Sequence, residues 1–183
     1  MPIADIMRDA ETRMQKSLDS AAHDFATLRT GRANPALLDS LKVEYYGQQL
    51  PVNQLGTVST PDSRTLLITP WDKGALAALE KAIQRSDLGL IPNNDGQNIR
   101  LNIPPLTEER RKEFVKQLHQ KAEAGRVALR NIRRDAIDHL KKDDEITDDD
   151  VKRSEKEVQK LLDKYTAELE ALQKTKETEL LEV

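Results

Sequence analysis

The chain has 183 residues, 37% hydrophobic, 33% charged and only 3% aromatic, with a formal net charge of −3. That length holds one large domain or two small ones with a real core, and an aromatic-poor core suits slender helix packing better than a broad sandwich. The absence of cysteine excludes a disulfide framework and a thiolate metal site; with no leader pattern and no apolar run near ~18 residues, a soluble cytoplasmic protein outside the membrane is expected.

Residues 2–29 predict a first long helix, because Ile3, Met7, Ala10, Met14, Leu18, Ala21, Phe25 and Leu28 recur at steps of three and four. The grammar then changes. Leu41 to Tyr45 alternates with period two and leads into a turn at Gly47; Arg64 to Thr69 reads as a second strand stopped by Pro70. Ala75, Leu76, Leu79, Ala82 and Ile83 mark a short amphipathic helix. Leu88 to Ile91 and Ile99 to Ile103 flank a hairpin-type loop at Asn93-Asn94-Asp95-Gly96. Trp71, at a strand end, is expected to pack.

Residues 107–142 predict a second long helix with two faces. Phe114, Leu118, Ala122, Gly125, Leu129, Ile132, Ala136 and Leu140 form an apolar seam. Gly125 within it points to close helix approach, since glycine costs about 1 kcal/mol there relative to alanine. Lys112, Lys116, His119, Arg126, Arg130, Arg133, Arg134 and Lys141 share a neighbouring sector, where Glu123 is the only acid past the first turn. Glu113, Asp135 and Asp138 project from a third face, so most of these arginines are expected to lack an acid one turn away. Such a stripe favours a polyanion, because each cation that neutralises a phosphate releases condensed counterions. A solvated charged face is the weaker reading.

A third helix starts at Thr147, a capping residue followed by Asp148, Asp149 and Asp150 in the positively polarised first turn, with Ile146 and Val151 spaced as a hydrophobic staple. Val151, Val158, Leu162, Tyr165, Leu169 and Leu172 carry its apolar stripe toward Leu180. The net charge of the chain hides a division. Residues 106–142 hold eleven Lys and Arg against six Asp and Glu, a balance of +5, whereas residues 143–183 hold seven against fourteen, a balance of −7. Three long helices satisfy one another in an intramolecular bundle, with coiled-coil self-association the competing reading. The expected fold is therefore α+β: an elongated three-helix-bundle domain I, residues 1–30 and 106–183, with a small α/β domain II, residues 31–105, inserted in it. Thr30, Gly31 and Arg32 going out and Pro104 and Pro105 coming back are the expected hinge tethers, since glycine permits dihedrals that the prolines forbid. A fixed arrangement with ordinary turn residues stands nearly level with that reading.

Little in the chain reads as catalytic. His23, His119 and His139 lack the carboxylate or cysteine pattern of a metal site or triad, and neither the Rossmann nor the Walker glycine pattern occurs. The acids at 143–145 and 148–150 lack the loop glycine and ligand spacing of an EF-hand. No catalytic residue, metal site or cofactor is expected. Without aromatics interleaved in the stripe, duplex or folded RNA read through its phosphates fits better than a single strand.

Several stretches resemble the bacterial ribosome recycling factors: Arg29-Thr30-Gly31-Arg32-Ala33-Asn34-Pro35, Val43-Glu44-Tyr45-Tyr46-Gly47, Asp62-Ser63-Arg64-Thr65-Leu66, Ser86-Asp87-Leu88-Gly89-Leu90, Pro104-Pro105-Leu106-Thr107-Glu108-Glu109-Arg110-Arg111-Lys112 and Arg126-Val127-Ala128-Leu129-Arg130-Asn131-Ile132-Arg133-Arg134-Asp135. They run in order over nearly the whole chain. The resemblance implies a hinged, L-shaped monomer. It also implies binding to the large ribosomal subunit after termination and, with elongation factor G, splitting of the post-termination complex, with GTP consumed by that partner. By the same similarity Arg110, Arg130 and Arg133 contact large-subunit ribosomal RNA, with Arg29 beside them at the hinge end. The tight link from His139 to Asp148 departs from some relatives, which are longer there.

Overall fold

The structure is a computed structural model that describes residues 2–182. Three long helices, α1 (Ile3–Ala26), α3 (Glu108–Lys142) and α4 (Asp148–Leu181), enclose in sequence the strands β1 (Lys42–Tyr45), β2 (Gln48–Pro51), β3 (Gly56–Asp62), β4 (Thr65–Pro70), β5 (Pro92–Asn94) and β6 (Ile99–Asn102) and the short helix α2 (Leu76–Arg85). By contacts the chain forms two compact units, one of residues through Leu28 with Lys112–Leu181, the other built on Arg29–Arg111.

In the first unit α1, α3 and α4 pack along their apolar seams. α1 buries Ile6, Ala10, Met14, Leu18, Ala21 and Phe25, and Leu28 just beyond it, while Ile3 and Met7 are only half-buried. The seam therefore starts at Ile6, and the helix stops at Ala26, three residues before the predicted end. α3 buries Phe114, Leu118, Ala122, Leu129, Ile132, Ala136 and Leu140, as its periodicity requires. At Gly125 an added Cβ would stand 3.1 Å from Leu169 of α4 and 3.7 Å from Ala21 of α1, so glycine lets three helices converge.

The α4 stripe needs a correction. Ser154, Val158, Tyr165, Leu169, Lys176 and Leu180 are buried, Val151 and Leu162 are half-buried and Leu172 is exposed. Lys176 sinks its methylene stem into the seam and keeps its ammonium 3.8 Å from Glu179; desolvation pulls its pKa below the usual lysine value. The start of α4 is as expected. Thr147 Oγ1 accepts from the Asp150 amide at 3.2 Å, and Ile146 and Val151 are both half-buried. α3 uses the same device, with Thr107 Oγ1 accepting from the Arg110 amide at 3.2 Å.

The second unit pairs β1 with β2 in one antiparallel ribbon and orders the other four strands β3-β4-β6-β5, all antiparallel. Two residues close the ribbon, Tyr46 and Gly47, both at positive φ (50° and 74°), the conformation that matches the twist of a two-residue hairpin. α2 lies against β1 and β5. The core gathers Leu38, Val43, Val52, Leu66, Ile68, Leu79, Ile83, Leu90, Ile99 and Leu101. The loop after β5 is built by side chains: Asn94 Oδ1 accepts from the Gly96 amide at 2.8 Å, and Asp95 Oδ1 from the Gln97 and Asn98 amides at 2.8 and 2.6 Å. Pairing sits lower than predicted, on Pro92–Asn94, and leaves Ile91 exposed. Strands β2 and β3 have no counterpart in the sequence reading.

Candidate nucleic-acid interface

The stripe on α3 follows from helix winding. Lys112, Lys116, Arg126, Arg130, Arg133 and Arg134 fall in one sector of the first unit beside the seam, and from Lys112 to Arg134 they extend over about 33 Å at 1.5 Å per residue. Arg29 and Arg110 belong to the second unit: Arg29 is half-buried in the segment after α1, and Arg110 is exposed in the first turn of α3, in a different angular sector from Arg130. The candidate residues thus divide between the two units, six and two.

α4 borders the stripe and supplies acids to it. His119 Nε2 lies 3.5 Å from Glu177, Lys141 Nζ 3.5 Å from Glu155, and the Arg126 NH1 donates to the Gln173 amide oxygen at 3.1 Å. Within α3, Glu123 receives Arg126 Nε at 3.0 Å on one carboxylate oxygen and an Arg130 terminal nitrogen at 3.1 Å on the other. These bonds, first from Arg126 and then from Arg130, hold the Glu123 carboxyl below its usual range. The expectation that most of the stripe's arginines lack an acid is therefore corrected for Arg126 and Arg130. The carboxylate from position 123 reaches them at spacings of three and seven residues. On the opposite flank Asp135 pairs with Arg13 of α1 at 3.1 Å, which keeps that acid away from the stripe.

Lys116, Arg133 and Arg134 have no carboxylate partner among the described residues. Lys116 and Arg134 are exposed; Arg133 is half-buried, with Nε sealed from solvent and meeting no acceptor. Its stem lies along the edge of the seam, so the terminal guanidinium nitrogens are the part it presents. An exposed cation row of this kind binds phosphates in a salt-dependent way.

The tether residues all lie in the second unit. Thr30 is buried and its hydroxyl accepts from the Arg32 amide at 3.2 Å. A Cβ on Gly31 would stand 3.8 Å from both Pro105 Cα and Leu106 N, so the outgoing and returning segments, with Pro104 next to Pro105, run side by side. Gly31 does not occupy the left-handed region, which among the described residues holds Tyr46, Gly47, Gly89 and Gly96. Neither space nor dihedral angle in this conformation demands glycine there.

Elsewhere in the second unit a cleft of about 810 Å³ opens between β1 and α2, lined in part by Lys42, Glu44, Lys81, Arg85 and Asp87, without histidine. Trp71 is 69% exposed and Tyr46 86%, so Trp71 is not the packing residue the sequence suggested. Tyr45 donates its hydroxyl to Asp72 Oδ2 at 2.6 Å and meets the Tyr46 ring edge-on at 4.4 Å. No group of three or more His, Asp or Glu side chains among the described residues could hold a metal, and no described helix is long and apolar enough to cross a membrane.

A family model described as ribosome recycling factor matches residues 21–181. The chain belongs to the ribosome recycling factor family. A ribosome-recycling factor from Thermosynechococcus vestitus is 57% identical over 180 residues, covering 97% of this chain and 99% of the relative. A solution structure of the ribosome recycling factor matches with a TM-score of 0.81 at 43% identity, over 100% of this chain and 99% of that one. A second match, TM-score 0.69 at 52% identity over the whole of both chains, is described as models for the Thermus thermophilus ribosome recycling factor and the Escherichia coli elongation factor G bound to the E. coli post-termination complex. Family membership covers both units, bundle and α/β insertion alike.

Proposed function

We propose that this protein recycles ribosomes. After termination it binds the large ribosomal subunit and, with elongation factor G and GTP, dissociates the post-termination complex so that mRNA, tRNA and subunits return to use. The observation that carries this is family membership over nearly the full chain, including a solved relative described together with elongation factor G on a post-termination complex. The protein works in the cytoplasm as a monomer, without catalytic residues or a cofactor of its own; GTP hydrolysis belongs to the partner.

The α3 stripe is the anchor. Arg133, Arg134, Arg130, Arg126, Lys116 and Lys112 face the phosphates of large-subunit RNA, with Arg110 and Arg29 as further contacts, and the affinity comes from counterion release. The translocase pushes the α/β unit about the tethers at Thr30-Gly31-Arg32 and Pro104-Pro105, and the bundle is driven against the bridges that join the subunits. The chemistry needed is attraction at one surface and force at another, and no covalent step.

Binding to purified large subunits tests the anchor. Arg133→Met keeps the buried stem and removes the charge, and should weaken binding by about tenfold while lowering the salt slope by about one. Arg133→Glu should weaken it further, with both variants melting as cooperatively as the parent. Parental affinity in both would remove Arg133 from the anchor, and binding to unrelated folded RNAs as tight as to ribosomes would favour a general RNA chaperone.

A further inference from the structure

Glu123 stands in the middle of a surface whose proposed task is to attract phosphates, and general stability does not explain it. Its carboxylate is 53% exposed and Arg130 57%, and exposed pairs between long side chains contribute little to folding. What the carboxylate does is occupy guanidinium donors. One oxygen takes Arg126 Nε and the other a terminal nitrogen of Arg130, at 3.0 and 3.1 Å, in the way a phosphate would take them. The two arginines are not held equally. Arg126 has a side chain only 24% exposed and is tied from its other end to Gln173 of α4. Arg130 is held by Glu123 and lies one turn before Arg133 and Arg134, which have no carboxylate partner among the described residues.

We propose that Glu123 is a positioning residue that stands in for an RNA phosphate: it aligns Arg130 along the stripe in the free protein and gives it up when RNA binds. This rests on the stripe being the RNA contact. In the exchange an Arg130 terminal nitrogen leaves Glu123 for a non-bridging phosphate oxygen, while Arg126 keeps the carboxylate, fastened by Gln173. The carboxylate then lies within a Debye length, about 10 Å, of the bound phosphates and repels them. Alignment helps a single side chain, whereas the repulsion acts on every phosphate in range. The net effect of Glu123 is therefore to weaken the complex and hasten its release, which suits a factor that must leave each ribosome it splits.

The test is equilibrium binding and dissociation on purified large subunits across a salt series, for the parent, Glu123→Gln, Arg130→Gln and the double variant, with Glu123→Ala as a second removal of the charge. Both Glu123 variants should bind about fivefold tighter near 100 mM salt, steepen the salt dependence by about one charge and dissociate more slowly. Arg130→Gln should cost about threefold more in the Glu123→Gln background than in the parent, because there the guanidinium is no longer shared. If Arg130→Gln weakens binding but both Glu123 variants bind no tighter than the parent, or if the two effects simply add, the proposal is wrong and the stripe stands. If Arg130→Gln and Arg133→Met both bind as the parent does, the stripe reading fails and takes this proposal with it.

Discussion

Tyr45 and Asp72 show how one hydrogen bond sets two ionisations in the α/β unit. Asp72 accepts from the Tyr45 hydroxyl at 2.6 Å and from the Gly74 amide at 3.0 Å, and the Tyr45 bond is the larger cause of its lowered pKa. The same bond raises the Tyr45 hydroxyl above its ordinary value. A carboxyl lowered in the folded state contributes stability above its unfolded pKa, near ~4, and loses that contribution as pH falls through the folded value. A hydroxyl raised in the folded state contributes below its unfolded pKa, near ~10, and loses it as pH rises through the folded value. Tyr45→Phe should therefore move Asp72 back toward the ordinary carboxyl range, with the Gly74 amide still holding it partly down. The stability gap between parent and variant should be flat from about pH 5 to about pH 9 and shrink on either side. Carbon-13 titration of Asp72 together with denaturation across pH checks this; an unmoved Asp72 would show that the hydroxyl does not control it. Residue-level features like this were not legible in the sequence, because Tyr45 and Asp72 meet across 27 positions. Glu123 was visible as the single acid in the stripe, yet its partnership with two arginines depends on side-chain reach that a helical wheel does not show.

Among the elements, those with strong periodicity could be read and those without it could not. α1, α3 and α4 each repeat apolar residues over many turns, and the Thr147 cap with three following aspartates fixes the start of α4. β2 opens with two exposed glutamines, and β3 is an edge strand, exposed over most of its length, with Pro61 inside a register shift between Ser59 and Asp62. An edge strand is defined by its neighbour rather than by alternation of its own. Gly56 opens β3 because a Cβ there would fall against the Thr69 carbonyl and 2.7 Å from Pro70 Cα, a constraint set by the partner strand. Gly125 was legible as a sign of close helix approach, and it yields a quantitative expectation. Gly125→Leu should destabilise the bundle by about 1–3 kcal/mol through overpacking against Leu169 and Ala21, measured by urea denaturation. A variant as stable as the parent would mean that Leu169 swings aside without cost.

At the scale of the whole molecule the division of charge was readable where a single pI was not. The +5 balance of residues 106–142 belongs to the segment that forms α3, and the −7 of residues 143–183 to the segment that forms its neighbour, which touches the stripe through Glu155 and Glu177. A long basic helix alone is shared by many RNA binders. Order and span of motifs across both units distinguish this chain from them, and they place it among the ribosome recycling factors. The proposed mechanism joins that membership to the α3 stripe, with an arginine anchor that lets a GTP-driven partner split the ribosome. Stopped-flow light scattering of post-termination ribosomes, with a matched elongation factor G and GTP, measures it directly. Rapid splitting should require all three components and be lost or slowed by about tenfold or more with folded Arg133→Glu, in line with the loss of phosphate attraction. Splitting by Arg133→Glu at the parental rate, or no splitting by the parent, would contradict the account.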